Sequence, residues 1–265
     1  MTGAVTMMLS GMLGTCLLML ILWVVHLAIR NAGIVDAGWA GGLALPGIYY
    51  AIAGHGYPPR SVLMAAMSAI WGMRLAYYLL VTRVIGQPEE GRYVELRRRW
   101  ATNLALKFLL LFQFQALLCV ALSMPFLTAS VNTRPELSAI EWIGFGLWLL
   151  AVAGESLADF QLQAFKSNPA NRGKTCNAGL WRYSRHPNYF FEWLIWMGFA
   201  VFALASPFGY LGLLSPALIL YFLLKVTGIP ATEAQALRTK GDEYRRYQQT
   251  TSMFFPWFPR GGNAR

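Results

Sequence analysis

From Val5 to Leu27 the chain reads VTMMLSGMLGTCLLMLILWVVHL, without one Asp, Glu, Lys or Arg. A helix needs ~20 such residues to cross the hydrocarbon core of a bilayer. Neither a basic segment before it nor a small-residue cleavage site accompanies this run, so it reads as a retained spanning helix and not a signal peptide.

Further apolar runs are bounded by charges or by Pro and Gly. They place candidate spans near 5–27, 38–53, 61–81, 104–124, 139–160, 188–204 and 209–227. The predicted fold is all-α: a single integral-membrane bundle of about seven helices occupying residues 1–265. Composition agrees, with 56% hydrophobic and 13% charged residues, where a soluble domain carries about a quarter charged. The second and sixth runs are short for a bilayer and are expected to be tilted, broken or shielded by neighbours.

Lys and Arg number 22 against 12 Asp and Glu. The excess gathers in Arg83 to Lys107, in Lys166 to Arg185 and after Lys225, which the positive-inside rule assigns to the cytoplasm. With seven spans the N-terminus is then outside and the C-terminus cytoplasmic. In the tail, Leu237, Tyr244 and Tyr247 alternate with basic residues, and FFPWFP follows. This predicts an amphipathic segment against the cytoplasmic mouth of the bundle. No basic soluble domain suggests nucleic-acid binding.

Acids inside spans are costly and mark sites; here they are Asp36, Glu155, Asp159 and Glu192. Glu155 and Asp159, four apart, share a helix face, and Gln163 extends the stripe toward the basic loop QAFKSNPANRGK. A satisfied polar patch gluing helices together would look the same, but it would not run on into a basic loop. In SRHPNYFFE, Pro187 suits the first helical position. Arg182, Arg185 and His186 then dress a helix N-terminus, and Arg172 and Lys174 add charge. That combination suits phosphate or pyrophosphate; cations that only fix orientation explain the charge but not the His, Pro, Asn, Tyr and Glu192 in register with it.

Other chemistries lack support. GHGYPP at Gly54 is not a dinucleotide fingerprint and there is no Walker motif. Cys16, Cys119 and Cys176 are too scattered for a disulfide framework or zinc, and His26 and His55 stand alone. No metal is expected.

The segments NAGIVDAGW, WGMRLAYYL, GESLADFQLQAFKSNPANRGK, GLWRYSRHPNYFFEW and GDEYRRYQQTTSMFFPWFP resemble the steroid 5-alpha-reductase superfamily over nearly the whole chain, closest to its bacterial membrane branch. The resemblance implies an NADPH-dependent oxidoreductase that reduces the 4,5 double bond of a 3-oxo-4-ene steroid or a similar lipophilic enone. It implies a cofactor-binding half at about 139–265, with Asp159, Lys166, Arg172, Tyr183, Arg185, His186, Asn188, Tyr189 and Glu192 at the cofactor and Tyr78 joining them. Catalysis would fall to Asp36, Tyr78 and Arg74. The family's ketone-holding glutamate and tyrosine do not carry over: the matching helices offer Asp36 and Trp39, then Trp71, Arg74 and Tyr78.

Negative charge grows on a ketone oxygen during such a reduction, so a buried donor must meet it. Asp36 is expected to serve if apolar surroundings keep it protonated, with Tyr78 sharing the role. The expected setting is a bacterial inner membrane, with a monomeric chain, membrane lipid around it and a lipophilic substrate entering from the bilayer. A competing resemblance is to isoprenylcysteine methyltransferases, which use S-adenosylmethionine, through the Arg-His-Pro-x-Tyr segment and a later glutamate, Glu233. The basic loop argues against it, since a sulfonium prefers acids and aromatic faces. A transporter is the third reading, and it would show inverted repeats or paired broken helices, which are not seen.

Overall fold

The computed structural model describes residues 2–260, and no β-strand occurs among them. The chain divides into two compact units, each discontinuous in sequence: Met1–Trp142 with Phe199–Ser215, and Ile143–Gly198 with Pro216–Arg265.

The first unit holds α1 (Thr2–Ile29), α2 (Ile34–Ala53), α3 (Pro58–Leu79), which ends in a π-helical turn at Leu80–Val84, α4 (Gly91–Trp100), α5 (Leu104–Leu122) and α6 (Met124–Ser130). It also takes the start of α7 (Ala139–Ser167), the end of α8 (Pro187–Ala203), a 3-10 turn at Gly209–Leu213 and the start of α9 (Leu214–Tyr221). The second unit holds the remainder of α7, α8 and α9, then a π-helical turn at Phe222–Val226, α10 (Ile229–Lys240) and α11 (Asp242–Thr250).

Five helical stretches among the described residues are long and apolar enough to cross a membrane: Gly3–Ile29, Pro58–Val84, Leu104–Leu122, Ala139–Ser167 and Gly209–Lys240. They support a multi-pass membrane protein. Their outer faces agree: Leu9, Leu13, Leu17, Ile21 and Val24 form an exposed apolar stripe along α1, which suits lipid far better than water. The other two expected spans exist as helices but fall outside this set. At 17 residues and 1.5 Å per residue, α8 is about 26 Å long, short of the ~30 Å core. Half of the residues of α2 are buried, and Asp36, its glycines and its tyrosines dilute its apolar character.

Helices in lipid gain little from apolar burial, so close packing and interhelical hydrogen bonds must hold them. In α2 and α3 the close packing comes from glycine: a Cβ on Gly72 would lie 2.6 Å from the Ala40 carbonyl oxygen, and one on Gly47 would lie 2.1 Å from Ser68 Oγ. Around this seam the fully buried rings Trp71, Phe126 and Phe199 meet edge to face, at 6.2 Å (Trp71 to Phe199) and 4.9 Å (Phe126 to Phe199).

One charge pair ties the connections of this unit together. Arg60, at the start of α3, is 1% exposed; its Nε pairs with Glu141 and its Nη1 donates to the carbonyls of Asn132 (2.9 Å) and Arg134 (2.8 Å). Glu141 in turn accepts from the Ser138 backbone N–H (2.6 Å) and hydroxyl (2.9 Å), the carboxylate half of a capping box at the start of α7.

Gly72→Ala should cost about 1–3 kcal/mol by forcing α2 from α3 and lower the melting temperature in detergent. Gly146→Ala, where an added Cβ meets nothing within 4 Å, is the control and should not lower it.

Candidate functional site

The second unit builds a polar seam on α7 and α8. Helix α8 starts at Pro187, the proline filling a position that needs no N–H acceptor. Ser184 prepares the turn: its hydroxyl oxygen accepts from the His186 N–H (3.1 Å) and its O–H donates to the Phe254 carbonyl (2.9 Å). In its first turn, Asn188 Nδ2 donates to Asp159 Oδ1 on α7 at 3.2 Å, while its Oδ1 accepts from the Tyr189 N–H at 3.1 Å. A turn further, Glu192 Oε1 accepts from Trp196 Nε1 at 2.9 Å. Glu155, Asp159 and Glu192 are all buried.

Glycine again permits the approach: a Cβ on Gly198 would lie 2.8 Å from Trp148, and one on Gly154 would lie 2.4 Å from the Phe191 ring. Buried carboxylates and a carboxamide on two such close helices can hold hydroxyls and amides of a ligand by hydrogen bonds.

The cations expected to gather at the start of α8 separate. Arg185 is 9% exposed. Its Nε donates to Glu233 Oε1 on α10 at 2.7 Å, and its Nη1 donates to the carbonyls of Gln248 (3.0 Å) and Thr251 (2.7 Å). His186 Nε2 lies 3.2 Å from the same Glu233 oxygen, and its ring stacks on Tyr189 at 5.4 Å. Glu233 also accepts from Gln248 Nε2 (2.8 Å) and Tyr244 Oη (3.4 Å). Arg185 and His186 therefore clamp α10 and α11 to the start of α8.

Burial pushes the His186 imidazole below its ordinary value, with the Glu233 hydrogen bond opposing. Burial likewise raises the phenols of Tyr244 and Tyr247, keeping both as donors; Tyr247 Oη donates to the carbonyls of Trp181 and Ser184. The tail thus docks through buried polar contacts, with Phe254 buried and Phe255, Trp257 and Phe258 exposed.

Lys166, in the last turn of α7, and Arg172 and Lys174, on the loop after it, are exposed. Tyr183 is turned to the tail, its carbonyl accepting from the Trp257 N–H and its ring 6.1 Å from Phe258. Arg182 is exposed and stands apart from the Arg185 clamp.

In the first unit, Asp36 has the opposite surroundings to those expected of a protonated donor. Its Oδ2 pairs with Arg92 Nη2 and its Oδ1 accepts from Tyr93 Oη at 2.9 Å. Burial, reinforced by the Asp36 charge, lifts the Tyr93 phenol well above its ordinary value, so Tyr93 donates and Asp36 accepts. Both partners come from α4, which sequence reasoning left as a basic connection. Glu89 braces the same region by accepting from Arg97 Nε (2.7 Å) and the Ala32 N–H (2.8 Å). Tyr78 and Trp39 pack on the Ala37–Ala40–Leu79 cluster, and Arg74 lies one turn before Tyr78 on α3. Trp39 Nε1 is buried without an acceptor among the described residues.

Residues 22–251 match the family described as "Protein of unknown function (DUF1295)". The chain belongs to this family. The family is related to steroid 5-alpha-reductase-like membrane proteins. The chain is also similar to "Uncharacterized protein C594.04c" of Schizosaccharomyces pombe, at 28% identity over 283 residues covering 93% of this chain and 78% of that protein. No solved structure matches it.

Glu233→Ala strands Arg185 in a buried site and should cost about 3–5 kcal/mol, read as a lower melting temperature in detergent. Because the folded His186 binds its proton more weakly than the unfolded one, its contribution is intact above the unfolded value of 6.5 and lost as pH falls toward the depressed folded value. The melting temperature should therefore drop as pH is lowered below that point, and His186→Gln should flatten the drop.

Proposed function

We propose that this protein is an NADPH-dependent membrane reductase of lipophilic enones, with 3-oxo-4-ene steroids as the model substrate class. The observation that carries this reading is the α7–α8 seam. Asp159 on α7 and Asn188 on α8, two of the nine residues at which the resemblance implies a cofactor, meet through a hydrogen bond, and Glu192, a third, follows one turn further along α8. The family's relation to steroid 5-alpha-reductase-like proteins points the same way.

The residues fit such a cofactor. Asp159, Asn188 and Glu192 offer the acceptors and donors that ribose hydroxyls and a carboxamide require, and the exposed Lys166, Arg172 and Lys174 suit its phosphates. When bound, NADPH supplies a hydride. Arg185 and His186 act indirectly, by holding α10 and α11 against the start of α8.

Reduction of an enone places negative charge on the ketone oxygen, which needs a preorganised donor. Tyr78, Arg74 and the acceptorless Trp39 indole N–H are the donors proposed for it. Asp36 acts by fixing Arg92 and Tyr93 and not by donating a proton itself. In this reading α2 and α8 complete a bundle of seven crossings in a bacterial inner membrane, monomeric, with the N-terminus outside and the basic connections in the cytoplasm.

A second reading, a membrane methyltransferase using S-adenosylmethionine, draws on one specific observation: the Arg-His-Pro-x-Tyr segment and Glu233, through which that resemblance runs, meet in space.

The test uses detergent-purified protein with a 3-oxo-4-ene steroid and either NADPH or S-adenosylmethionine, following cofactor oxidation and product mass. Expected is a product two hydrogens heavier with NADPH. Asn188→Ala should weaken NADPH binding roughly tenfold, the loss of about 1.4 kcal/mol, and Asp36→Asn should slow turnover more than it weakens binding. Thermal stabilisation by S-adenosylmethionine alone would overturn the reading.

A further inference from the structure

A second candidate site lies within the second unit. The segment Thr175–Gly179, Arg182 and one face of α11 line a cavity of about 630 Å³, within the ~300–1,000 Å³ usual for small-ligand sites. From α11 come Glu243, Arg246, Tyr247 and Thr250, spaced i, i+3, i+4 and i+7, so a single helix face forms the wall. None of the residues assigned to the cofactor lines it.

The walls are fixed. Tyr247 is pinned through its hydroxyl to the carbonyls of Trp181 and Ser184. Glu243 Oε1 accepts from the Thr175 N–H at 2.7 Å, which ties the loop to α11. Gly179 turns the loop at φ +59°, where an added Cβ would strike Gln161 at 2.6 Å.

Two features of this cavity call for a ligand. Arg182 and Arg246 both line it and neither has a carboxylate partner among the described residues, whereas the neighbouring Arg245 pairs with Asp242 at 3.2 Å. The one acid in the lining, Glu243, is engaged by the loop backbone. Thr175 also lines the cavity, is 7% exposed, and has a buried hydroxyl without a hydrogen-bond partner among the described residues, a costly state for a polar group.

We propose that this cavity binds a phosphate group, carried by a lipid headgroup or by a soluble phosphate compound, with Arg182 and Arg246 as its guanidinium clamps. Guanidinium matches phosphate in charge and in the fork geometry of its donors. The proposal does not depend on the reductase reading.

The test takes the full-length protein in neutral detergent at matched ionic strength, since screening alone shifts exposed charges. The probes are inorganic phosphate and mixed micelles containing phosphatidylglycerol, with thermal melts and native mass spectrometry as readouts. At least one probe should raise the melting temperature of the wild type and of Arg245→Ala, and the double variant Arg182→Ala/Arg246→Ala should bind it at least tenfold more weakly. Both arginines are exposed, so the double variant should melt at the wild-type temperature without probe.

A response to inorganic phosphate assigns the site to a soluble phosphate compound; a response to phosphatidylglycerol alone assigns it to a headgroup. No response to either probe, or an undiminished response in the double variant, overturns the proposal. Arg246→Ala alone should keep wild-type NADPH affinity; a loss there would merge the cavity with the cofactor site and overturn its independence.

Discussion

A charge removed from water in this protein must find a partner within the fold, and three encounters of opposite charges fix much of its arrangement. Arg60 meets Glu141, Asp36 meets Arg92, and Arg185 meets Glu233. Arg60 and Glu141 join the starts of α3 and α7, Asp36 and Arg92 join α2 to α4, and Arg185 and Glu233 join the start of α8 to α10. Such pairs add little net stability over apolar contacts of the same shape, but removing either partner leaves an uncompensated charge. The geometry around them is therefore narrowly specified, and in a lipid setting they decide where non-spanning segments dock.

The same constraint sorts the many cations by role. Arg60, Arg92 and Arg185 are consumed internally by carboxylates and carbonyls. Lys166, Arg172 and Lys174 remain exposed, and Arg182 and Arg246 line the α11 cavity without a carboxylate partner among the described residues. The seam owes its position to glycine: Gly154 and Gly198 let α7 and α8 come close enough for Asp159 to reach Asn188.

Parts of this were legible before any coordinates. Pro187 marked the start of α8, and the four-residue spacing of Glu155 and Asp159 marked a polar helix face, because both signals are local. Less was legible for Arg185 and His186, which looked like free cations at a helix N-terminus; Glu233, 48 and 47 residues later, claims both. Nor did any period reveal that Arg92 and Tyr93 would turn onto Asp36, since a run of arginines between spans reads as a solvated loop. The one hint was the shared glutamate of the methyltransferase resemblance, which points to Glu233 without saying what it holds.

What the sequence by itself determined is the class of molecule. Long uncharged runs cannot stay in water, and in lipid a backbone must satisfy its own hydrogen bonds, so helices follow. Proline and glycine then set several boundaries and close approaches through steric effects that act within a turn. What only the tertiary structure decided is the state of each charged side chain: which is paired, which is exposed, and which faces a cavity. The reason is physical: helix periodicity reports a face, whereas ion pairing is a contest among groups tens of residues apart, decided by three-dimensional distance and burial.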